Sequence, residues 1–587
     1  MKMLADRIRD FGLLREIKAE HVLISLLTLV AYLALVVFRS LDDNKLTSWH
    51  WVFLGMDPNK LLLVLVIGII AAYLFSKASL PERYSAPFLF ISSFIIAAIF
   101  WRMPEVVVDT SRYFTQAKHL EVYGIGYFFR EWGQSIVAWT DLPLIPFLYG
   151  LIFKFLGESR LYIQIFTTLL FSATVVLTYR IGETLWGEDI GLFGGLLLLG
   201  IPYIFTQIPL MLVDIPTMFF FTLAIFTFIK ALDQGGAGMI IISAISIFLA
   251  FFSKYSTWLM LSVLAVIFIV YFIEERRQGR MLIERLFLFG QVRQRKILYR
   301  GVAVVLISAS LIGTMVFLKL GIISEQIELL VSYQQPGLKR WGESFYSTFF
   351  FQIHPFLTLA ALYSAYAALK KKDLRYAIIS WLVLLVFLLQ IERIRYIIMV
   401  FPMLALMASY GLQEIRDRDL RKFVALCAIV SSLTVAVFAY YPFLQRMSTV
   451  NLKSAGEYLN SIGAEDIEVF TVLSKDFIEV NPAVSVSILD LFSNQNITYR
   501  YNHPSPPWEK IQTSSLRFTW DYKNPQYYTF NNNLKENTMV VVISGAEDEV
   551  LPNKIAQRLK DYRLLKVFKT SVGIFRHQTL VKVYQPM

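Results

Sequence analysis

The sequence predicts a polytopic α-helical membrane protein of about 13 spans that carries a soluble α/β domain at its C-terminal end. Three observations predict it. The chain of 587 residues is 56% hydrophobic and only 17% charged, with mean hydropathy +0.55, which is less charge than a soluble globular chain carries. Apolar runs of membrane-spanning length recur from residue 21 to residue 441, and a lipid-embedded chain satisfies its backbone as helix. Past Asn451 the pattern changes to short apolar runs between turn residues.

The net charge of +12 sits in short loops between spans, as the positive-inside rule describes, and so argues for a bilayer rather than a nucleic acid as the basic residues' partner. The single cysteine, Cys427, lies in an apolar run and excludes an intramolecular disulfide. Residues 1–20, "MKMLADRIRDFGLLREIKAE", are charged and amphipathic without a small-residue cleavage site; they read as a cytoplasmic helix, not a signal peptide.

The predicted membrane domain occupies residues 21–450. Its candidate spans are 21–38, 60–76, 86–102, 161–179, 190–207, 215–230, 238–253, 256–273, 301–318, 346–368, 376–391, 397–412 and 423–441, with a shorter apolar segment at 142–156. Arg7, Arg9, Arg15 and Lys18 put the N-terminus inside, and the basic loop 274–300, "KKKDLR" and "RDRDLRK" belong inside too. Counting forward puts Asp109 outside, and counting back from 274–300 puts Asp214 and Lys254 outside. The two counts agree when one intervening segment does not cross. Segment 142–156, with Pro143, Pro146 and Gly150, reads as a half-helix or re-entrant piece, the alternative being a break in the Gly-rich 190–207 segment.

The tail, 451–587, is expected outside. "AGEYLNSIG" reads as a helix, "DIEVFTVL", "TMVVVISG", "LLKVFKT" and "TLVKVYQ" as strands, and "PNKIAQRL" as a helix with Pro in its first turn. The Pro- and Asn-rich middle reads as loop.

Polar residues collect on the predicted outer side. In the first outer loop, 103–141, Asp109 heads a helix with Tyr113, Phe114, Ala117 and Leu120 on one face and Arg112, Gln116 and His119 on the other, an interfacial helix lying on the membrane. Asp141 ends that loop. Further on stand Asp214 in "LVDIP", Lys254 in "FFSKYS", Lys339, Arg340 and His354 before a Pro, and Glu392, Arg393, Arg395 and Tyr396 in "ERIRYIIMVFP". Ionisable groups in such apolar settings face a cavity or a partner. Outer-side cations suit a phosphate whose hydrocarbon tail stays in the bilayer, and a carboxylate facing them can take a proton from a hydroxyl or amine.

Each has a plainer reading. Asp109 suits a helix N-cap, Asp214 a helix start and Lys254 a snorkelling side chain. Arg112 and His119 suit a solvated face, and His354 a satisfied helix start. Arg393 and Arg395 point apart, so one reaches the site while the other pairs with Glu392. Asp109, Asp141 and Asp214 together offer oxygen ligands to a divalent cation; no His/Cys cluster exists for zinc.

In order, "DTSRY", "TDLPLIPFLYGLIFKFLG", "TYRIGETLWGEDIGLFGGLLLL", "LVDIP", "FFSKYS" and "ERIRYIIMVFPMLALMASYGL" resemble segments of GT-C glycosyltransferases that use polyprenyl-phosphate sugars. The resemblance runs over 106–412 and is nearest to the protein O-mannosyltransferase and aminoarabinose lipid A transferase superfamily. Thr110 stands where many relatives have Glu, Leu142 where many have His or Lys, and two extra spans precede the usual first one.

The resemblance implies a GT-C-like membrane enzyme that moves a monosaccharide from a polyprenyl- or dolichyl-phosphate donor to a protein, glycan or lipid acceptor, with inversion, at the outer face of the cell membrane. It implies Asp109 and Asp214 as catalytic groups and Lys254, Arg393 and Arg395 on the donor phosphate. Arg112, Tyr113, Asp141, His354 and Tyr396 would support the acceptor or the loop. No cofactor or resident metal is expected, a divalent cation remaining the alternative. A secondary transporter would also bury charges but usually shows inverted repeats, and none is visible. A non-catalytic scaffold would present the outer domain. "FTWDYKNP" echoes an oligosaccharyltransferase signature, yet lacks its first Trp and its Gly.

Overall fold

Apolar helices form most of the chain in a computed structural model, which describes residues 18–40, 52–53, 56–78, 82–282, 289–337, 343–474, 480–500, 503–512, 514, 516–529, 538–570 and 578–587. The amphipathic start at 1–17, Lys339, Arg340, part of the basic loop and part of the Asn-rich loop lie outside those residues. Among the described residues, eight helices are long and apolar enough to cross a membrane, and four shorter apolar helices accompany them. The chain is a multi-pass membrane protein.

Several expected spans are interrupted. The 190–207 segment breaks: helix Glu188–Leu198 ends at a turn and a single turn, Pro202–Phe205, follows. Segment 346–368 divides into a π-helical stretch, Ser347–Ile353, and helix Pro355–Lys371, with His354 extended between them. The 397–412 segment begins as a 3₁₀ helix, Ile394–Val400, before Phe401–Leu412. Proline explains two of these breaks, since Pro202 and Pro355 each take the first position of a helix, where a missing N–H costs nothing. Helix Leu144–Leu156 is short, as expected of 142–156. It approaches helix Val107–Tyr123 so closely that a Cβ on Gly150 would lie 2.7 Å from Leu120 Cβ and 2.9 Å from the Ala117 carbonyl oxygen. The two extra N-terminal helices, Ala19–Ser40 and Pro58–Ser76, pack on helix Arg418–Val435.

The C-terminal domain opens with helix Thr449–Ser461 and builds one sheet from β1 (Asp466–Thr471), β2 (Asn496–Thr498), β3 (Met539–Ser544), β4 (Tyr562–Phe568) and β5 (Leu580–Pro586), in the order β2-β1-β3-β5-β4. β1 runs parallel to β2 and β3, and β5 antiparallel to β3 and β4. Four of the five strands lie where the alternation predicts. β2 carries no such signal, and helix Val484–Leu491 carries a misleading one. "VSVSILDL" alternates as a strand would, but all eight residues are buried, and the cover on every side overrides local preference. The "PNKIAQRL" helix runs Asn553–Arg558, with Pro552 one place ahead as its cap. Among its described residues the expected loop contains three short helical turns, Trp508–Ile511, Arg517–Asp521 and Gln526–Tyr528.

One buried ion pair fastens the segments that carry the polar cluster. Glu105 Oε1 accepts from Arg160 Nε at 2.7 Å, and its Oε2 accepts from Thr110 Oγ1 at 2.9 Å and from the Met211 N–H at 3.1 Å. The same guanidinium donates to the carbonyls of Trp101 (2.8 Å) and Met103 (2.6 Å). Glu105 thereby ties the start of helix Val107–Tyr123 to the turn that leads into Asp214. Removing one member of a buried pair leaves the other charge uncompensated, at about 3–5 kcal/mol. Glu105→Ala is expected to lower the thermal midpoint of the detergent-solubilised protein steeply by tryptophan fluorescence; a melt matching wild type would contradict the brace.

Candidate active site

Asp109 does not cap its helix. Helix Val107–Tyr123 is preceded by Val106, whose side chain makes no cap, and Asp109 sits in the first turn. Nor does this helix lie on the membrane with one polar face in water, since eleven of its seventeen residues are buried. Helix Leu144–Leu156 covers one side and helix Val484–Leu491 of the C-terminal domain packs on it as well. The polar face expected to be solvated is therefore covered. Thr115 Oγ1 lies 3.1 Å from Ser487 Oγ. Lys118 donates to Asp490 at 2.6 Å and to Glu158 at 3.1 Å. The Arg112 guanidinium lies 5.0 Å from the Phe518 ring centroid.

Asp109 points to Arg395. Arg395 Nη1 donates to Asp109 Oδ2, and its Nε donates to Asp214 Oδ2 at 2.9 Å. Lys254 Nζ donates to the other Asp214 oxygen at 2.6 Å. Four side chains from four distant segments thus form one chain of charges, Asp109–Arg395–Asp214–Lys254. Tyr396 joins it on one side, with Lys254 Nζ 5.5 Å from its ring centroid and its hydroxyl accepting from Arg393 Nη1 at 3.1 Å. The backbone here is held by Glu343, whose carboxylate accepts the Ile394 N–H at 2.9 Å.

A second group adjoins the first through Arg112, 3.8 Å from Asp109. Arg112 donates to Asp141 at 2.8 Å and to the Tyr113 hydroxyl at 3.3 Å. Gln116 donates to the other Asp141 oxygen at 3.2 Å. Gln326 donates to the Asp141 carbonyl at 2.9 Å and accepts from Tyr255, the neighbour of Lys254, at 2.6 Å.

Of the residues singled out from sequence, Asp109, Asp214, Lys254, Arg395, Arg112, Tyr113 and Asp141 are brought together directly, and Arg393 and Tyr396 adjoin them. His354 is placed as a helix-start brace: its Nδ1 accepts the Phe356 N–H at 3.1 Å and its Nε2 lies 2.8 Å from Ser431 Oγ. Glu105, Glu343, Gln326 and Tyr255 escaped the sequence reading. Glu105 had a visible signal, a carboxylate between Pro104 and an apolar stretch; the others have none in sequence.

Charge balance sets the protonation states. Burial would push the Asp109 carboxyl up, but Arg395 and Arg112 beside it overcome this and hold it well below the usual carboxylate range. Asp141 is raised by burial in spite of Arg112. Burial lowers His119 and keeps it neutral. The three aspartates expected as alternative cation ligands each already face a cationic side chain. Among the described residues no group of three or more His, Cys, Asp or Glu side chains is arranged to hold a metal ion.

Residues 141–312 match the family described as dolichyl-phosphate-mannose-protein mannosyltransferase, a stretch that holds Asp141, Asp214 and Lys254 but neither Asp109 nor Arg395. Among solved structures, ArnT from Cupriavidus metallidurans in the apo state is 10% identical over 84% of this chain and 97% of its own, with a TM-score of 0.50. The structure of that protein bound to undecaprenyl phosphate is 12% identical over 85% and 98%, with a TM-score of 0.49. The archaeal oligosaccharyltransferase AglB from Archaeoglobus fulgidus is 12% identical over 80% and 70%, with a TM-score of 0.45. No curated protein matches the sequence.

Two outcomes follow from this geometry. Side chains in one network do not act additively. Arg395→Ala with Asp214→Asn is therefore expected to melt closer to wild type than the two single losses sum to, by about 0.5–3 kcal/mol in a double-mutant cycle. Because the Asp109 pKa is depressed, its ionised form stabilises the fold above the ordinary value of about 3.9 and loses that contribution as pH falls through the folded value. The melting gap between wild type and Asp109→Asn should stay constant from pH 8 to pH 5 and narrow only below about pH 4.

Proposed function

We propose that this GT-C-fold membrane glycosyltransferase moves a monosaccharide from a polyprenyl- or dolichyl-phosphate donor to a hydroxyl or amine on a protein, glycan or lipid, at the outer face of the membrane and with inversion. One observation carries the reading. The side chains of Asp109, Lys254 and Arg395 share a cluster yet keep 20%, 20% and 16% of their surface open, whereas Asp214 keeps 1%. A base and two phosphate clamps are therefore reachable together, and the second carboxylate stands behind them.

That difference in exposure divides the work. Asp214 holds Lys254 and Arg395 in position as a buried counter-charge. Asp109 meets the acceptor. While Asp109 shares Arg395 it is a weak base. A donor phosphate supplies a second anion for Arg395 and Lys254, and drawing the guanidinium toward it raises the proton affinity of Asp109 when an acceptor is within reach. The acceptor O–H proton passes to Asp109, the acceptor oxygen bonds to the anomeric carbon opposite the phosphate, and the bond from that carbon to the phosphate oxygen breaks. The electron pair leaves with the lipid phosphate, whose charge Arg395 and Lys254 hold. Arg393 extends the clamp through Tyr396. Arg112, Tyr113 and Asp141 fix the helix that carries Asp109. The cationic side chains supply the charge neutralisation, so no resident metal is required.

The test uses the full-length protein in lipid nanodiscs with a panel of lipid-phosphate monosaccharides, product being read by mass spectrometry. Asp109→Asn should reduce turnover by about 10²–10⁴-fold with donor KM little changed. Lys254→Ala should act mainly on donor KM, and EDTA should leave the rate unaltered. Equal turnover in wild type and Asp109→Asn would sink the catalytic assignment.

A further inference from the structure

A cavity of ≈ 250 Å³ lies between helix Val107–Tyr123, the 131–140 loop and residues 522–526 of the C-terminal domain. The transfer chemistry above makes no use of it. One helix face connects the two places. Asp109, Arg112, Gln116, His119 and Tyr123 are spaced three or four apart and so line one side of the helix. Gln116, on the cavity wall, stands about 10 Å along the axis from Asp109 at 1.5 Å per residue.

The wall combines aromatic faces with unmet hydrogen-bond acceptors. The Tyr123 and Tyr127 ring centroids are 4.6 Å apart, and the His119 ring lies parallel to Tyr127 at 6.5 Å. Gln116, 1% exposed, gives its Nε2 hydrogens to the Val137 carbonyl at 3.0 Å and to Asp141, and its Oε1 has no partner among the described residues. Asn524 donates to the Tyr499 carbonyl at 2.7 Å, and its Oδ1 likewise has no partner. Buried acceptors without donors are costly and rare, and both belong to residues that line the same cavity.

Trp139 completes the wall. Its φ of +46° is a strained setting for a bulky residue. Its indole N–H donates to the Phe518 carbonyl at 3.1 Å, which pins the ring across the seam to the C-terminal domain. Strain of this kind persists where the surroundings enforce it and marks sites of function.

Among the described residues the lining holds no carboxylate and one cation, Lys523, so an ionic ligand is a poor fit. A sugar ring fits both halves of this wall. Its C–H bonds rest on the electron-rich face of an aromatic ring, and its hydroxyls donate to amide oxygens. We propose that this cavity binds a neutral saccharide unit of the acceptor, so that the acceptor is a glycan or glycolipid held between the C-terminal domain and the Asp109 helix. Treating that saccharide as acceptor rests on the transfer reading above.

Binding is measured without donor, so the two readings fail separately. The full-length protein in nanodiscs is titrated with mannotetraose, chitotetraose and maltotetraose, and with tetra-alanine as the peptide rival, by saturation-transfer NMR. At least one tetrasaccharide should bind, and Tyr127→Ala should weaken it at least tenfold. Gln526 is exposed, so Gln526→Trp fills the cavity mouth without disturbing the core and should weaken binding as much. Asp109→Asn should retain binding even where transfer is lost. Absence of binding by all three tetrasaccharides, or binding indifferent to both cavity variants, overturns the subsite. Tetra-alanine binding alone, blocked by Gln526→Trp, overturns the saccharide assignment.

Discussion

The Arg395 guanidinium lying between Asp109 and Asp214 is the interaction on which the rest of the site depends. Two carboxylates brought together in an apolar interior repel each other and lose their water, and neither cost is tolerable without a cation between them. Arginine suits the place because its fork offers separate N–H groups to separate acceptors and keeps its charge when buried. Lys254 closes the far end of the chain, leaving Asp214 with a donor on each oxygen. These four side chains are thus neutral overall, each cation balanced by a carboxylate.

Holding that arrangement requires rigid support from elements far apart in sequence. Glu105 supplies part of it, since its two oxygens reach Arg160, Thr110 and the Met211 N–H. Glu343 fixes the backbone just ahead of Arg395. The C-terminal domain supplies the remainder by covering the polar face of helix Val107–Tyr123 through Thr115 and Lys118. That domain therefore forms part of the wall around the Asp109 helix. The "FTWDYKNP" stretch belongs to this contact, with the Phe518 carbonyl and ring facing Trp139 and Arg112.

Much of the fold was legible because it follows from local physics. Apolar length marks helices that cross lipid, and alternation marked β1, β3, β4 and β5. Legibility failed where tertiary cover decides. Helix Val484–Leu491 alternates like a strand, yet with every residue buried the alternation does not mark a solvent face. The polar face bearing Arg112, Gln116 and His119 has the spacing of a solvated face, and only the docked domain and Asp141 make it an interior one. The charged residues were legible as candidates since an ionisable group in an apolar run is costly. Their pairing was not, because Asp109 and Arg395 are 286 positions apart.

By itself the sequence determined a multi-pass helical protein, a small α/β domain at its end, and a short set of charged residues that had no inexpensive place in lipid. Burial cost is a property of residue type and neighbours in the chain, so it can be read one segment at a time. Only the tertiary structure decided that Asp109 faces Arg395 instead of capping its helix, that Asp214 stands buried behind Lys254, and that His354 braces a helix start. Those outcomes depend on which segments meet, and a contact between distant segments is set by the packing of all the elements between them.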